Sequence, residues 1–358
     1  MMKTIVLVGA GHAHLHVIKA WQKEPLPNCR LVVISASKYQ YYSGMFSGYA
    51  EGLYSEEQTR VSLVPFCRIA GALFYEDTIE RIDSSARTLF GKSGTSYSYD
   101  IVSFDIGSTI AIPEAFQDVS PQVKPSHEMM DTINKIRSTA HPVIIGGGAA
   151  AVEMALSIQH WRLKNGSTTP VQLVSASPLL KGTGAESEIH KVIQQAGISV
   201  MEEDEVLRME NETVHTKKGN VLEATALFWL TGSSSFPIFR DSNLSTTDGF
   251  LNVTSTLQST DEPTIFATGD CAHFTVSKTS LAKNGVHAVK QGPILWYNLQ
   301  ALIENQKLRA YEPKSPQLSI LSIGNREGLM LYGNWHFKGK LAWRIKHQID
   351  TRFMNKYK

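Results

Sequence analysis

The chain has 358 residues, of which 42% are hydrophobic and 19% charged, with a formal net charge of +2; it is long enough for two domains and too apolar to be disordered. That near-balanced charge leaves no electrostatic footprint for nucleic acid, and no stretch approaches the roughly 18 uninterrupted apolar residues of a spanning helix. Three cysteines, Cys29, Cys67 and Cys271, are widely spaced and form no C-x-x-C pair, which argues against a disulfide framework or a dithiol redox centre and for free thiols.

The chain opens on a continuous apolar strand, Thr4–Val8, with no n-region, h-region or cleavage site, so no signal peptide is expected. Gly9-Ala10-Gly11 follows, then a helix over about Ala13–Trp21 that Pro25 and Pro27 end, then a buried strand, Leu31–Ile34. Strand, Gly-x-Gly, helix, strand in about 30 residues is a βαβ unit that can lay a pyrophosphate on a helix N-terminus. Strand candidates come next at Leu73–Tyr75, Ile79–Asp83 and Arg87–Phe90, and Tyr99–Phe104 leads to Asp105-Ile106-Gly107-Ser108, where a buried strand stops at a glycine turn. The Pro-rich polar stretch Pro113–Pro125 reads as a connection between domains.

From His141 the pattern restarts: Val143–Ile145, Gly146-Gly147-Gly148, a helix over about Ala149–Leu163, Asn165-Gly166 and the strand Val171–Ser175. Leu227–Leu230 followed by Thr231-Gly232 repeats the strand-then-glycine ending, so the two halves are crude internal copies. Thr264–Ala301 belongs to neither: a strand, Gly269-Asp270, a loop, and a helix over about Val286–Leu302.

Two such turns suggest two dinucleotides held against each other, and the chemistry that most often needs this is electron transfer between a nicotinamide and a flavin. The turns are unequal. In the first, Gly9 and Gly11 allow close backbone approach, but His14 stands where a third Gly or Ala is usual, and the following strand ends at Ser35 without the usual ribose-binding acid. In the second, Gly146, Gly148 and Ala151 fit the pattern and Glu153 follows in the helix. Its second strand also ends without an acid, at Ser175, with Lys181 the nearest cation, which permits NADPH without requiring it. Gly269-Asp270 at a strand end can point a carboxylate at a flavin's ribityl chain, and the next helix can aim its N–H groups at the flavin ring. Alone it would read as a type I turn with an Asx bond; after two glycine turns the flavin reading prevails.

His12, His14 and His16 suggest metal, yet on a helix only His12 and His16 share a face, and no carboxylate or Cys lies in that turn. No metal site is expected, and His14 reads as packing in place of glycine. In the tail, Leu341, Ile345 and Ile349 recur every four residues, with Phe353 next, among Lys338, Lys340, Arg344, Lys346, Arg352, Lys356 and Lys358 against the one acid Asp350. Such a basic amphipathic helix, with Trp335 and Trp343 near, either lies in an anionic membrane interface or docks on its own domain or a second subunit; docking is the default expectation.

Two glycine turns followed by Ala267-Thr268-Gly269-Asp270 resemble the two-dinucleotide flavoprotein superfamily that includes the pyridine nucleotide-disulfide oxidoreductases and the NADH:quinone reductases. Gly9-Ala10-Gly11-His12-Ala13-His14, Tyr42-Ser43-Gly44-Met45, Phe104-Asp105-Ile106-Gly107-Ser108 and Asn284–Pro293 are similar to one subgroup, the NADH dehydrogenase-like FAD proteins associated with selenide water dikinase. No dikinase domain is present in the chain. The resemblance implies an α/β fold of two Rossmann-like, glutathione-reductase-like domains: a discontinuous FAD domain (1–112 and 245–318), an NAD(P)H domain (113–244) and a short basic amphipathic element (319–358).

Carried over, it implies FAD contacts from Gly9, Gly11, His12, Ser35, Gly44, Gly107, Gly269, Asp270, Gly285 and Val286, and NAD(P)H contacts from Gly146, Gly148, Ala151, Glu153 and Gly232. Lys283 becomes a candidate for the isoalloxazine edge, with Gly44 and Met45 on the catalytic loop. Two departures matter. The disulfide reductases carry redox cysteine where this chain has Tyr41-Tyr42-Ser43-Gly44-Met45-Phe46, which disfavours thiol chemistry and sulfide oxidation by that route. The quinone reductases carry A-Q-x-A-x-Q, of which Gly285-Val286-His287-Ala288-Val289-Lys290 keeps a single position.

The expectation is an FAD-dependent oxidoreductase that takes hydride from NAD(P)H to flavin N5 and passes electrons to a quinone-like or other small acceptor. A cytoplasmic location, peripheral on the inner face of the membrane, and a homodimer are consistent with it. The alternatives are a flavoenzyme acting on a selenium or sulfur compound, and a non-enzymatic nucleotide sensor that binds a membrane or partner.

Overall fold

The computed structural model describes residues 2–116, 128–275 and 281–358; of the expected interdomain connection only residues 113–116 are among them, and the rest lies outside the described residues. Lys3–Val8 is buried beyond its first residue and forms the middle of a five-stranded sheet in the order Ile265–Ala267, Ile101–Phe104, Lys3–Val8, Cys29–Ser35, Leu73–Glu76. Every pairing is parallel, which explains the near-continuous apolar runs: both faces must be covered. The helix His12–Lys23 and the helix Gly285–Ile303 cross on one face. Gly292 lets them approach, since a Cβ there would lie 2.8 Å from the His16 Cβ, and Trp21 meets Trp296 edge-on at 6.3 Å.

The second copy is a four-stranded parallel sheet in the order Ser199–Glu202, Gln172–Ser175, Pro142–Ile145, Ala226–Trp229, with the helix Ala149–Lys164 leaving its glycine turn. The stretch between the second strand and the strand that returns beside the first takes the same form in both copies. Each is a third parallel strand and then a three-stranded antiparallel meander: Ile79–Asp83, Thr88–Gly91 and Ser96–Ser98 in one, Val206–Glu210, Thr213–Thr216 and Val221–Glu223 in the other. A strand then returns beside the first. Among the described residues, only the first copy gains a fifth strand, Ile265–Ala267, from beyond the second copy.

The tail differs from its sequence reading. Three antiparallel strands, Leu318–Ser322, Gly328–Tyr332 and Trp335–Gly339, precede the helix Lys340–Tyr357. Tyr332 pairs with Trp335 across Gly333-Asn334, with Gly333 at φ +59, a two-residue hairpin signal that turns Phe337 into a strand residue. The helix docks, but by an unexpected face: Ala342, Asp350, Met354 and Tyr357 are buried, while Leu341 is 58% and Ile349 49% exposed. Leu341 and Ile349 of the four-residue stripe therefore look outward, Phe353 packs against Tyr42 and His12, and the covered face carries Lys346 and Asp350.

Candidate active site

The first glycine turn is shaped by the end of the Ile101–Phe104 strand. Gly9 sits at φ +80, and a Cβ there would run into the Asp105 carbonyl; a Cβ on Gly11 would strike the Asp105 carboxylate. Two cavities flank the turn. One of about 640 Å³ is lined by Gly9, Ser35 and Asp77, and a smaller one of about 160 Å³ by Gly11, His12, Gly107, Asp270 and Gly285. They share Gln40, Asp105, Ile106 and Phe236 in their walls, which makes one bent groove across the turn. A groove of that shape, over glycines that admit no Cβ, fits an elongated dinucleotide such as FAD.

Around the smaller cavity, Gly269 takes φ +66 and its N–H donates to Gln291 Oε1 at 2.7 Å. Ser108 Oγ donates to Asp270 at 3.4 Å, and Gly107, at φ +74, faces open space. The helix after Asn284 begins here, its cap accepting the Val286 N–H at 3.2 Å, and Gly285 lies against the His12 ring. Desolvation lowers the His12 pKa to about 4, and its ring packs against Tyr42 and Phe353 at centroid distances of 5.4 and 5.2 Å. His14 is fully buried. Its Nδ1–H donates to Gly9 O at 2.6 Å, leaving Nε2 to accept from Ser103 Oγ at 2.8 Å, so it fills the helix–sheet gap that a third glycine would close. Among the described residues no His/Cys/Asp/Glu group could hold a metal ion.

Lys283 stands at the edge of this region. Its Nζ donates to Ala272 O at 2.6 Å and lies 3.9 Å from the Phe250 ring centroid, and burial lowers its pKa. Ser35 ends its strand beside the larger cavity, where Asp77 on the neighbouring strand's extension also points. Asp77 is not a free ribose acid: it accepts from Ser93 Oγ at 2.6 Å and Tyr97 OH at 2.9 Å. Burial alone would raise its pKa, but those hydrogen bonds outweigh it and hold the carboxyl below its ordinary range.

In the second turn the glycines divide the work. Gly146, at φ +140, presses on Leu230 O and on Ala151, and Gly147 on the Ser175 hydroxyl. Gly148 caps the helix in extended conformation and, like Gly232, has nothing within 4 Å of a would-be Cβ. Those two open glycines mark the side from which a nicotinamide dinucleotide can approach. Ser175 Oγ is turned inward, donating to Ser177 O at 2.6 Å.

The units meet at a buried charge cluster that the sequence reading did not assemble. Lys346 Nζ donates to Gly44 O at 2.5 Å and Asp350 Oδ2 at 3.0 Å, and lies 3.8 Å from Glu153. Glu153 accepts from Ser47 Oγ at 2.9 Å and Ser322 N at 2.7 Å. It thus joins the short helix Phe46–Ala50 after the first βαβ unit, the second unit's helix and the tail element. Burial raises the pKa of Glu153, and likewise of Asp350, with Lys346 offsetting part of each. Burial would lower Lys346, but Glu153 and Asp350 outweigh it and raise it. One cation thus lies between two desolvated carboxylates. Met45, by contrast, is 3% exposed and packs in the core. Two of the three thiols are poor nucleophiles: burial pushes Cys67 and Cys271 up to about 12.

The family described as pyridine nucleotide-disulphide oxidoreductase matches residues 3–292. Ferroptosis suppressor protein 1 from Homo sapiens is 24% identical over 291 residues, covering 77% of this chain and 76% of that protein. Among solved structures, NDH2 from Plasmodium falciparum in complex with NADH superposes with a TM-score of 0.85 at 13% identity, covering 100% of this chain and 98% of that one. The sulfide:quinone oxidoreductase from Aquifex aeolicus gives a TM-score of 0.82 at 19% identity, covering 99% and 91%. At these identities the two structures speak for the fold.

Proposed function

The chain belongs to the pyridine nucleotide-disulphide oxidoreductase family, and from that premise we propose that it oxidises NAD(P)H through bound FAD and passes the electrons to a quinone-like acceptor. Bound FAD would supply the two-electron relay between the nicotinamide and the acceptor. The observation that carries the proposal is the pair of glycine turns: one opens on a groove walled by Asp105 and Asp270, the other presents Gly148 and Gly232 unobstructed. Gly9, Gly11, Ser35 and Asp270 hold the first dinucleotide, with 1–112 and 245–318 forming its domain and 113–244 the nicotinamide domain. Lys283, committed to Ala272 O and Phe250, positions the strand end beside the flavin edge.

The acceptor side is the face closed by the tail helix. There Tyr42, Lys346, Asp350 and Glu153 form a cluster able to hold a proton, and reduction of a quinone needs protons as well as electrons. The outward stripe favours a membrane-borne acceptor. On the helix Leu341 and Ile349 are exposed among Lys340, Arg344 and Arg352, and Trp335 and Phe337 of the preceding strand are exposed as well. This basic and apolar surface is suited to a membrane interface, and no helix of the described residues is long and apolar enough to cross a membrane. The tail then rests on the cytoplasmic leaflet. The same stripe is where two copies would pair, and vesicle flotation against sedimentation of the free chain separates the two occupants. Burial of Cys67 and Cys271 argues against the selenium or sulfur alternative by thiol exchange.

The test is turnover of NADH and NADPH against a panel of short-chain quinones beside selenium and sulfur compounds. Quinone-specific turnover supports the proposal, and turnover only with the second set replaces it.

A further inference from the structure

The helix His12–Lys23 begins at Gly11 with no side-chain cap of its own and no acid in its first turn. Its free amides are met from elsewhere: Asp105 Oδ2, at the end of the Ile101–Phe104 strand, accepts the Ala13 N–H at 2.8 Å and the His14 N–H at 3.1 Å. A helix N-terminus carries about half a positive charge and is where a dinucleotide's pyrophosphate is drawn. The carboxylate is 4% exposed and wedged between Gly11 and Gly269.

The chain contains its own control. In the second copy the matching position is Leu230, whose carbonyl meets Gly146 as the Asp105 carbonyl meets Gly9. The backbone alone therefore shapes the turn, and the Asp105 carboxylate is an addition made only at the flavin turn. Resting on the FAD reading above, we propose that Asp105 is a resident anion competing with the FAD pyrophosphate for the first helix N-terminus, so that FAD is held reversibly and more weakly as pH rises.

Among the described residues, the groups shown against Asp105 include no cation. From the helix comes His14, whose ring is engaged by Gly9 and Ser103; from the Gly269–Cys271 turn come Asp270, which adds repulsion, and the buried Cys271 thiol. Lys283 is tied to Ala272 O. Burial first, with Asp270 assisting, pushes Asp105 up to about 7. A diphosphate arriving beside an ionised Asp105 is repelled; one proton taken from solvent by that carboxylate removes the conflict and keeps the two amide hydrogen bonds' acceptor in place.

The experiment is titration of FAD into flavin-free protein, read by flavin fluorescence and by calorimetry in buffers of different ionisation enthalpy, from about pH 6 to about pH 8. The variants are Asp105→Asn, which keeps the acceptor, and Asp105→Leu, which copies the second turn. The wild-type Kd should rise by up to about tenfold per pH unit with uptake of about one proton. Asp105→Asn should bind at least as tightly at the low end, about tenfold or more tighter at the high end, and without proton uptake. FAD binding with the same pH slope and affinity in wild type and both variants overturns the proposal alone. Failure of every form, wild type included, to bind FAD overturns the FAD reading and the proposal with it.

Discussion

Tyr42 and Asp350 lie 308 residues apart and are joined by a 3.0 Å hydrogen bond from the tyrosine hydroxyl to the carboxylate. The Tyr42 ring also stacks on Phe353 at 4.3 Å and 20°. The tail helix is thus bound through its polar inward face to the segment that follows the first βαβ unit. Burial first, then the negative charge of Asp350, raises the Tyr42 pKa well above its ordinary value, so this hydroxyl stays a donor at neutral pH.

Lys346→Met should separate electron entry from acceptor turnover. Without the cation, Glu153 and Asp350 remain as buried carboxylates, which is expected to cost about 3–5 kcal/mol at neutral pH. Because burial holds both acids' pKa above the ordinary range, the loss grows as pH rises and shrinks as they take up protons at low pH. Urea unfolding at two pH values measures this. Reduction by NAD(P)H should persist while quinone turnover falls at least about tenfold.

Gly146→Ala and Gly148→Ala should behave oppositely although they are two residues apart. Gly146 is at φ +140 and its Cβ would meet the Leu230 carbonyl, so the protein should lose about 2 kcal/mol or more. Gly148 has ordinary φ and open space. Its alanine form should keep the wild-type Tm yet raise the KM for NAD(P)H about tenfold or more by obstructing the dinucleotide. Equal effects of the two substitutions on Tm would contradict this division.

His14 should make the protein acid-sensitive. Its pKa is lowered by burial from 6.5 to about 4, so the folded state resists the proton that the unfolded state accepts. Its contribution to stability is therefore full above about pH 6.5 and is lost as pH falls toward 4, by up to about 1.4 kcal/mol for each pH unit crossed. His14→Leu should flatten that acid limb in melting scans. It should also be about 1–3 kcal/mol less stable near neutrality, because Gly9 O and Ser103 Oγ lose their buried partner.

The sequence announced both turns, the Ala149 helix and the Gly269-Asp270 strand end, because glycine placement and apolar runs are local signals. It did not announce Asp105, although the residue stands in plain view at a strand end before Gly107; its role needs the neighbouring strand and helix brought together. Lys346 and Asp350 read as members of a basic solvated face, since spacing tells which residues share a helix face and not which face is covered. The hairpin at Gly333-Asn334 is hidden for a related reason: Trp335 and Phe337 alternate over too few residues to outweigh the helical spacing that follows.

Leu341→Glu with Ile349→Glu should abolish flotation with anionic vesicles and leave Tm within about 1 °C, because both side chains are exposed. Retained flotation would remove the tail from the membrane proposal. Loss of a dimer in the free chain would assign the stripe to self-association.

Whether the two turns hold a flavin and a nicotinamide in electronic contact is decided by the visible spectrum of the full chain reconstituted with FAD, followed anaerobically on addition of NADH and then of NADPH. A bound-flavin spectrum is expected whose main visible band bleaches with at least one nucleotide and returns on addition of a quinone, with Gly148→Ala bleaching far more slowly. A chain that retains flavin yet keeps its band with both nucleotides, or that retains no flavin, contradicts this reading of the two turns.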